Sequence, residues 1–539
     1  MRHFFFRHQP LLLSIATGIL LALSWPARGI PLLAFVALVP LLWVEDHFHA
    51  ERKHSRLTRM FVHAWLAFFV FNLLTTWWIM FATIPGMLVA VLLNPVFMAI
   101  PWVVMHASRR VLPGNQGQVP LLILWLSFEY LHAIWDLSWS WLDLGNVFAT
   151  TPYLVQWYEY TGTAGGTSWV LITNLLLFSL IQQISYPIYA KKKILLKTGL
   201  LIGVLAVPSV ISAIIWLRYE EKHDPVAVVI VQPSNNPYQP VESIAQAEKR
   251  LDQLTSLANT KITPHTRFVV APEGANPRGV WMHETESHFT IQAFRDHIAQ
   301  HPGLAWVLGS FAYQMYEANE PRPRSAAPYR NGDSYYDVYN SAIMIEAGRP
   351  VAFYHKSKLV PGIEKMPFYT VLWPLGMLVE KFGGTQTSLG TQDHRAVFES
   401  ASGYNVAPAI CYESIYGDYM GEYFRHGAGL IFIVTNDGWW RNTPGHRQHN
   451  QYARLRAIES RRSIARSAST GISSFVNQKG EVLQQTQWWE TTAISHELNQ
   501  NYMLTFYSLQ GNFLGTLSLF LTALLLLYMI TQRIIRHRK

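Results

Sequence analysis

One cysteine occurs in the 539 residues, Cys411. It stands in Ala407-Pro-Ala-Ile-Cys411-Tyr412-Glu413-Ser414, where the apolar stretch 404–410 reads as a buried strand and the residues after it are polar. A thiol at such a boundary sits where a core gives way to a cleft. A lone cysteine forms no intramolecular disulfide, and a strand-end thiol is a candidate nucleophile. The plainer reading is a small buried hydrophobe, which is what most free cysteines are. Three further strand ends carry groups that such a nucleophile needs. Phe268-Val-Val-Ala-Pro-Glu273 ends in an acid that either caps a loop or acts as a base. His355-Lys356-Ser-Lys358-Leu-Val-Pro361 offers two cations at a turn, and Thr435-Asn436-Asp437-Gly438-Trp439 ends a fourth apolar run. A lysine ammonium favours a thiolate and a carboxylate can take its proton. Each signal alone is weak; a glutamate, a lysine and a cysteine at three strand ends of one domain form a far more specific set.

The elements that must hold these groups follow from the hydrophobic pattern. Residues 226–233, 267–272, 304–312, 338–346, 350–355, 405–411 and 429–435 read as buried strands. Residues 240–259, 284–300 and 446–461 read as amphipathic helices between them. Strands alternating with helices predict an α/β domain with covered sheet faces and its ligand site at strand ends. No metal is expected. His283 and His288 are five apart and share no helix face, unlike the two histidines of a zincin motif; His446 and His449 are three apart with no third ligand evident. No phosphate-binding glycine loop is found, since Gly162, Gly165 and Gly166 read as a loop at the membrane.

The rest of the chain is a membrane protein. Half of the residues are hydrophobic and only 14% are charged, against about 25% in soluble domains. Eight apolar segments, near 10–25, 30–45, 61–83, 87–107, 119–136, 167–188, 197–217 and 511–532, are candidate spans. Basic residues lie at Arg2 and Arg7, from Arg52 to Arg59, at Arg109 and Arg110, from Lys191 to Lys197, and from Arg533 to Lys539. With eight spans all five clusters fall on one side, the cytoplasm by the positive-inside rule. The net charge of +9 is then topological and calls for no nucleic acid. Both termini are expected in the cytoplasm and residues 224–505 beyond the membrane. The domains expected are a seven-helix membrane region (1–223), a catalytic domain (224–505), and a last helix with a basic cytoplasmic tail (506–539). Trp139, Trp141, Tyr153, Trp157 and Tyr158 are expected at the headgroup level.

The Pro-Glu273 step, the Lys356-x-x-Leu-Val-Pro361 turn and the Ile-Cys411-Tyr-Glu strand end resemble the Glu-Lys-Cys triad of the nitrilase superfamily, whose fold is an α-β-β-α sandwich. Together with the spans, the resemblance narrows to the apolipoprotein N-acyltransferase family and covers nearly the whole chain. It includes Tyr160-Thr-Gly-Thr-Ala-Gly-Gly-Thr-Ser-Trp169, Asn436-Asp-Gly-Trp439, the run Gln451 to Arg462 and the Asn340-Ser-Ala strand. The resemblance implies Cys411 as nucleophile, Glu273 as general base, Lys356 as the oxyanion-side cation and Glu364 as supporting acid. Lys356 is preferred to Lys358 because the family's lysine stands three residues before Leu-Val-Pro. Asn340, Tyr412 and Trp439 match positions around the acyl pocket. Glu413, the other supporting acid, is expected to bond a lysine or the amine substrate. The loop Leu359-Val-Pro-Gly-Ile-Glu364 departs from the family's Leu-Val-Pro-Phe-Gly-Glu, and Pro233 to Pro240 lacks the family's tryptophan. The run Gly362 to Gly384, with Phe368, Leu372, Trp373 and Leu375, reads as an apolar lid or a packed loop.

The activity so implied is transfer of an acyl chain from a phospholipid, through a cysteine thioester, to the α-amine of a diacylglyceryl apolipoprotein. It needs no cofactor. A monomer in the bacterial inner membrane is expected, with the catalytic domain on the periplasmic face. The alternative is a membrane-anchored amidase or nitrilase using water as acceptor. An inactive lipid-binding scaffold is a third class, and the filled triad positions argue against it.

Overall fold

The computed structural model describes residues 2–51, 56–112, 117–185, 191–239, 241–330, 333–369 and 388–538. It divides into two compact units: Met1–Met80, Gly86–Arg218 and Asn512–Lys539 in one, Phe81–Pro85 and Tyr219–Gly511 in the other.

The first unit is helical. Among the described residues six helices are long and apolar enough to cross a membrane: Pro31–Ala50, Leu57–Phe81, Ile84–Ser108, Tyr158–Ser185, Lys191–Arg218 and Phe513–Arg536. Gln9–Ser24 and Pro120–Ile134 are shorter apolar helices on two further expected segments. Several elements differ from the sequence reading. The second segment is a 3₁₀ turn, Pro31–Leu33, followed by short helices Ala34–Ala37 and Val39–Ala50. Residues Tyr158–Ser185 are two helices joined at a kink, Gly162 (φ 59°, ψ −166°), so the first of the expected loop glycines breaks the helix while Gly165 and Gly166 lie within it. The glycines there serve close approach: a Cβ on Gly145 would lie 2.0 Å from the Thr163 carbonyl oxygen, and one on Gly166 1.7 Å from the Tyr158 hydroxyl. Trp141 and Tyr158, expected at the headgroups, are fully buried within this unit. Glu45, His49 and His106 form, among the described residues, the one group of side chains close enough to share a metal ion. Both Glu45 oxygens are already taken, by His106 at 2.7 Å, Gln118 at 2.6 Å and Arg109. The group is thereby an ion-paired hydrogen-bond cluster.

The second unit carries two sheets. Strands β1 (Pro225–Gln232), β2 (Thr266–Val270), β3 (Val280–Trp281), β4 (Ala305–Glu317), β5 (Ala327–Tyr329), β6 (Ser334–Glu346) and β7 (Ala352–His355) belong to the first. The second contains β8 (Phe398–Glu399), β9 (Asn405–Ile410), β10 (Leu430–Thr435), β11 (Ile464–Ala468), β12 (Ser474–Val476) and β13 (Val482–Gln485). The last strand, β14 (Thr492–Asn499), returns to pair antiparallel with β1. Orders are β14-β1-β2-β4-β6-β5, with β3 on β4 and β7 on β6, and β13-β12-β11-β10-β9-β8. The sheets pack face to face: the Phe268 and Phe432 rings meet edge-on at 5.1 Å, and Ser467 donates to the Val231 carbonyl at 2.8 Å. Strand β10 is buried at every residue, as a parallel strand covered on both faces must be. Helix Ile244–Asn259 buries Ala247, Leu251, Leu254 and Ala258, a stripe at helical period, against Val229, Val269 and Trp306. Burying each of the two leucines is worth about 1.5–3 kcal/mol. Ser243 caps this helix, accepting from Gln246 N at 3.2 Å. Helices Gly417–Arg425 and Pro444–Ser460 accompany the second sheet. The layers are therefore α-β-β-α. Strands β3, β5, β8 and β11 to β14 were absent from the sequence reading.

Candidate active site

The four chemistry-bearing strand ends converge. Strand β9 runs buried between β10 and β8 and stops at Ile410. Cys411 then takes φ 49°, the left-handed region, and opens a 3₁₀ turn through Ile415. A non-glycine residue there costs about 1–2 kcal/mol and persists only where its surroundings over-determine it. Two bonds do so locally: Ile410 N donates to Glu413 Oε2 at 2.9 Å, and Ser414 Oγ donates to the Cys411 carbonyl at 2.8 Å.

Glu413 is fully buried, and its bond to a lysine is made by the Lys358 backbone N–H, at 3.4 Å. Its Oε1 accepts from Ser357 N at 2.8 Å, from the Tyr354 hydroxyl at 2.7 Å and from the Tyr419 hydroxyl. Backbone amides and phenols, rather than a lysine side chain, satisfy it. It ties the cysteine turn to the lysine turn.

Glu273 follows β2 by three residues. Its turn lies against β4, where Asn276 N donates to the Gly309 carbonyl at 3.0 Å and Gly309 N to the Pro272 carbonyl at 3.1 Å. Only glycine fits at 309, since a Cβ would stand 2.5 Å from the Glu273 Cα. Glu273 Oε2 accepts from Asn436 N, at the end of β10, at 3.0 Å. Glu273 Oε1 accepts from Asn340 Nδ2 at 2.6 Å and from Lys356 Nζ at 3.5 Å. Lys356 is 1% exposed and also donates to Glu364 Oε1 at 2.8 Å. Asn340 Nδ2 spends its second hydrogen on that same oxygen at 2.8 Å, and Glu364 Oε2 accepts from Val360 N at 2.8 Å. Burial alone would push the Lys356 ammonium toward neutrality; the Glu364 and Glu273 carboxylates outweigh it and hold the pKa above its ordinary value. The Cys411 thiol moves the other way relative to its use. Burial and the Glu273 charge raise its pKa, Lys356 offsets part of this, and Asp437 adds to it. At rest the site therefore holds a neutral thiol and a charged lysine beside two carboxyl groups.

Glu273, Lys356, Glu364 and Asn340 thus form one hydrogen-bonded cluster, with Cys411 inside its field. The Lys358 ammonium lies 4.9 Å from the centre of the Tyr416 ring, and burial together with Lys365 and Arg395 lowers its pKa to about 8. Tyr412 is buried, its ring 5.2 Å from that of Tyr416. Trp439 is 42% exposed, with the Tyr238 ring 5.3 Å away. A small cavity of about 160 Å³ opens at Glu273, lined also by Asn276, Phe311, Asn436 and Ser469. Of the expected lid, Phe368 is partly exposed, and Leu372, Trp373 and Leu375 lie outside the described residues.

Behind the cysteine lies a group that the sequence reading missed: Asp437, His449 and Arg466, all buried and mutually bonded. Arg466 in the middle of the buried β11 was its available signal, because a buried arginine demands a buried acceptor.

Comparison with known proteins finds two family domains in the chain. Residues 17–176 match the apolipoprotein N-acyltransferase N-terminal domain, and residues 226–505, more than half of the chain, match carbon-nitrogen hydrolase. The apolipoprotein N-acyltransferase of Chlorobaculum tepidum is 27% identical over 93% of this chain and 92% of its own length. That of Geobacter metallireducens is 26% identical over 93% and 91%. Among solved structures, an amidase from Nesterenkonia is 14% identical, with a TM-score of 0.35, over 53% of this chain and 93% of its own. Two family domains in one chain, in the order and at the places of the two units described above, make this chain a member of the apolipoprotein N-acyltransferase family, an acyltransferase built on a carbon-nitrogen hydrolase domain.

Proposed function

We propose that this protein completes bacterial lipoproteins by moving an acyl chain from a phospholipid to the N-terminal amine of a diacylglyceryl-cysteine, through a thioester on Cys411. The observation that carries the reading is the strained Cys411 turn set beside the Glu273–Asn340–Lys356–Glu364 cluster.

In the first half-reaction Glu273 takes the thiol proton as sulfur attacks the ester carbonyl. The tetrahedral oxyanion forms next to the Lys356 ammonium, and each well-aimed donor lowers such a barrier by roughly 3–4 kcal/mol. The C–O bond breaks, and the departing lysophospholipid hydroxyl takes the proton from Glu273. In the second half the acceptor amine attacks the thioester, Glu273 receives the amine proton, the C–S bond breaks, and the proton returns to sulfur. Asn340 and Glu364 hold the base and the cation in register. One site serves both steps, so the kinetics are ping-pong. The eight apolar segments act as spans, the basic clusters put residues 224–505 on the periplasmic face, and both termini lie in the cytoplasm. The active species is a monomer.

The test is intact-protein mass spectrometry after mixing purified enzyme with a phospholipid of known chain length and no acceptor. A single acyl adduct should appear on Cys411, be cleaved by neutral hydroxylamine, and disappear when a diacylglyceryl peptide is added. Absence of the adduct, with turnover retained in Cys411→Ala, would sink the mechanism.

A further inference from the structure

We infer that the buried Asp437–His449–Arg466 cluster is a positioning device for the nucleophile, acting through His449 on the peptide plane that joins Cys411 to Tyr412. The inference rests on the acyl-enzyme reading above and names residues that the reading itself does not use.

Each member comes from a different element. Asp437 follows the end of β10 in a short 3₁₀ turn, His449 sits in helix Pro444–Ser460, and Arg466 is the central residue of β11. Their side chains are almost wholly inaccessible, at 0%, 1% and 0% exposure. Arg466 donates to Asp437 Oδ2 at 2.6 Å and to the Ile472 carbonyl at 2.5 Å. Asp437 Oδ1 lies 3.0 Å from His449 Nδ1 and accepts from the Thr435 hydroxyl at 2.9 Å. Burial would raise the Asp437 pKa; Arg466 and His449 outweigh it and hold the carboxyl well below the usual range, so the anchor stays charged. The far side of the imidazole faces the nucleophile. His449 Nε2 is 3.2 Å from the Cys411 carbonyl oxygen and 3.2 Å from Ser414 Oγ, whose hydroxyl bonds the same carbonyl at 2.8 Å.

Buried ion pairs are poor stabilisers compared with apolar packing, so an Arg466–Asp437 pair in a sheet core, with a histidine beside it, calls for another purpose. The Cys411 carbonyl supplies it. A peptide unit is planar, and its C=O and N–H point in opposite directions. With Arg466 Nη2 donating to His449 Nδ1 at 3.1 Å the imidazole carries its proton on Nε2, so Ser414 and His449 are two donors to the Cys411 carbonyl, and fixing it fixes the Tyr412 N–H on the opposite edge of the plane. That N–H adjoins the attacking sulfur and can serve, with Lys356, as a donor to the oxyanion. The left-handed φ of Cys411 is the conformation that would relax if the carbonyl were released.

The experiment compares two rates in the full-length enzyme. One is single-turnover acylation of Cys411 by phospholipid, which builds an oxyanion. The other is alkylation of Cys411 by iodoacetamide, a displacement at saturated carbon that builds none. Removing the orienting bond in His449→Ala should slow acylation about 100-fold, the effect of losing one oxyanion donor. KM for phospholipid and the alkylation rate should each stay within about threefold. His449→Gln, whose amide can still donate to the carbonyl, should recover about tenfold of the loss. Ser414→Ala, the mildest change, should slow acylation about tenfold and give the same answer if His449→Ala does not fold. Acylation within threefold of the parent in both His449→Gln and Ser414→Ala, or alkylation falling in step with acylation, overturns the inference. Cys411→Ala runs alongside: an inert Cys411→Ala with a fully active His449→Ala defeats this inference alone, whereas an active Cys411→Ala defeats the acyl-enzyme reading with it.

Discussion

Removing the base should make the nucleophile more reactive toward a simple alkylating agent while abolishing its work. Glu273 raises the Cys411 pKa by its charge, second only to burial. Glu273→Gln keeps the carbonyl oxygen that accepts from Asn436 N or Asn340 and deletes that charge. A unit charge roughly 5 Å away in a medium of effective dielectric about 20 is worth about 3 kcal/mol, or roughly two pKa units. The thiol pKa lies far above 7 in the parent, so two units mean about 100-fold more thiolate at neutral pH. A less basic thiolate is a weaker nucleophile, with a Brønsted slope of about 0.4–0.5, which returns roughly tenfold of that gain. Iodoacetamide should therefore alkylate Cys411 about tenfold faster in Glu273→Gln at pH 7, followed by mass spectrometry of the intact protein. Acyl transfer to a diacylglyceryl peptide should fall at least about 100-fold in the same preparation, as for loss of a general base. The sign of the pH dependence follows: parent alkylation keeps rising with pH through neutrality and beyond, and the variant's curve is displaced toward lower pH. Alkylation that slows on Glu273→Gln would refute the electrostatic account of the site.

Lys356→Met, which leaves Glu273 and Glu364 facing each other without their shared cation, should lose at least about 100-fold in turnover, while Lys358→Met should lose far less; the reverse ranking in the same peptide assay would reassign the lysine. Raising the pH through about 8 discharges Lys358 in the folded state before the unfolded one, so its contribution to stability improves with pH above that point, and Lys358→Met should flatten that part of a melting-temperature profile. Glu413→Gln replaces an acceptor of three backbone amides and two phenols; it should destabilise the fold by about 1–3 kcal/mol in denaturant titrations, and an unchanged midpoint would remove its structural role. Alkaline phosphatase fused after His223 should be active and fused after Lys193 inactive; the opposite pattern would put the catalytic domain in the cytoplasm.

The strands that carry Glu273, Lys356, Cys411 and Asn436 were legible because each is a short apolar run that stops at a polar residue. Strands β11 and β12 were not, since each is a short run whose apolar residues are broken by a buried polar one, Arg466 or Ser474, paired to a distant group, Asp437 or Asn450. Edge strand β14 mixes buried, half-buried and exposed residues without alternation, and its identity depends on a partner more than 250 residues earlier. The role of Glu413 was hidden for a similar reason: Tyr354, one of its donors, is 59 residues away. The glycines near residue 165 read as a loop because their use, letting the Tyr158 helix approach residues 144–150, exists only in three dimensions.

Gly309 has no side chain, touches no substrate and carries no charge, yet it sets how near the base can stand to its sheet. In a saturation mutagenesis screen scored by growth it should therefore behave like a member of the triad, intolerant of all nineteen replacements including alanine. Such a screen ranks positions by consequence and is blind to chemistry. A hunt for inhibitors or catalytic groups guided by it alone would be drawn to a residue whose entire contribution is the room it leaves.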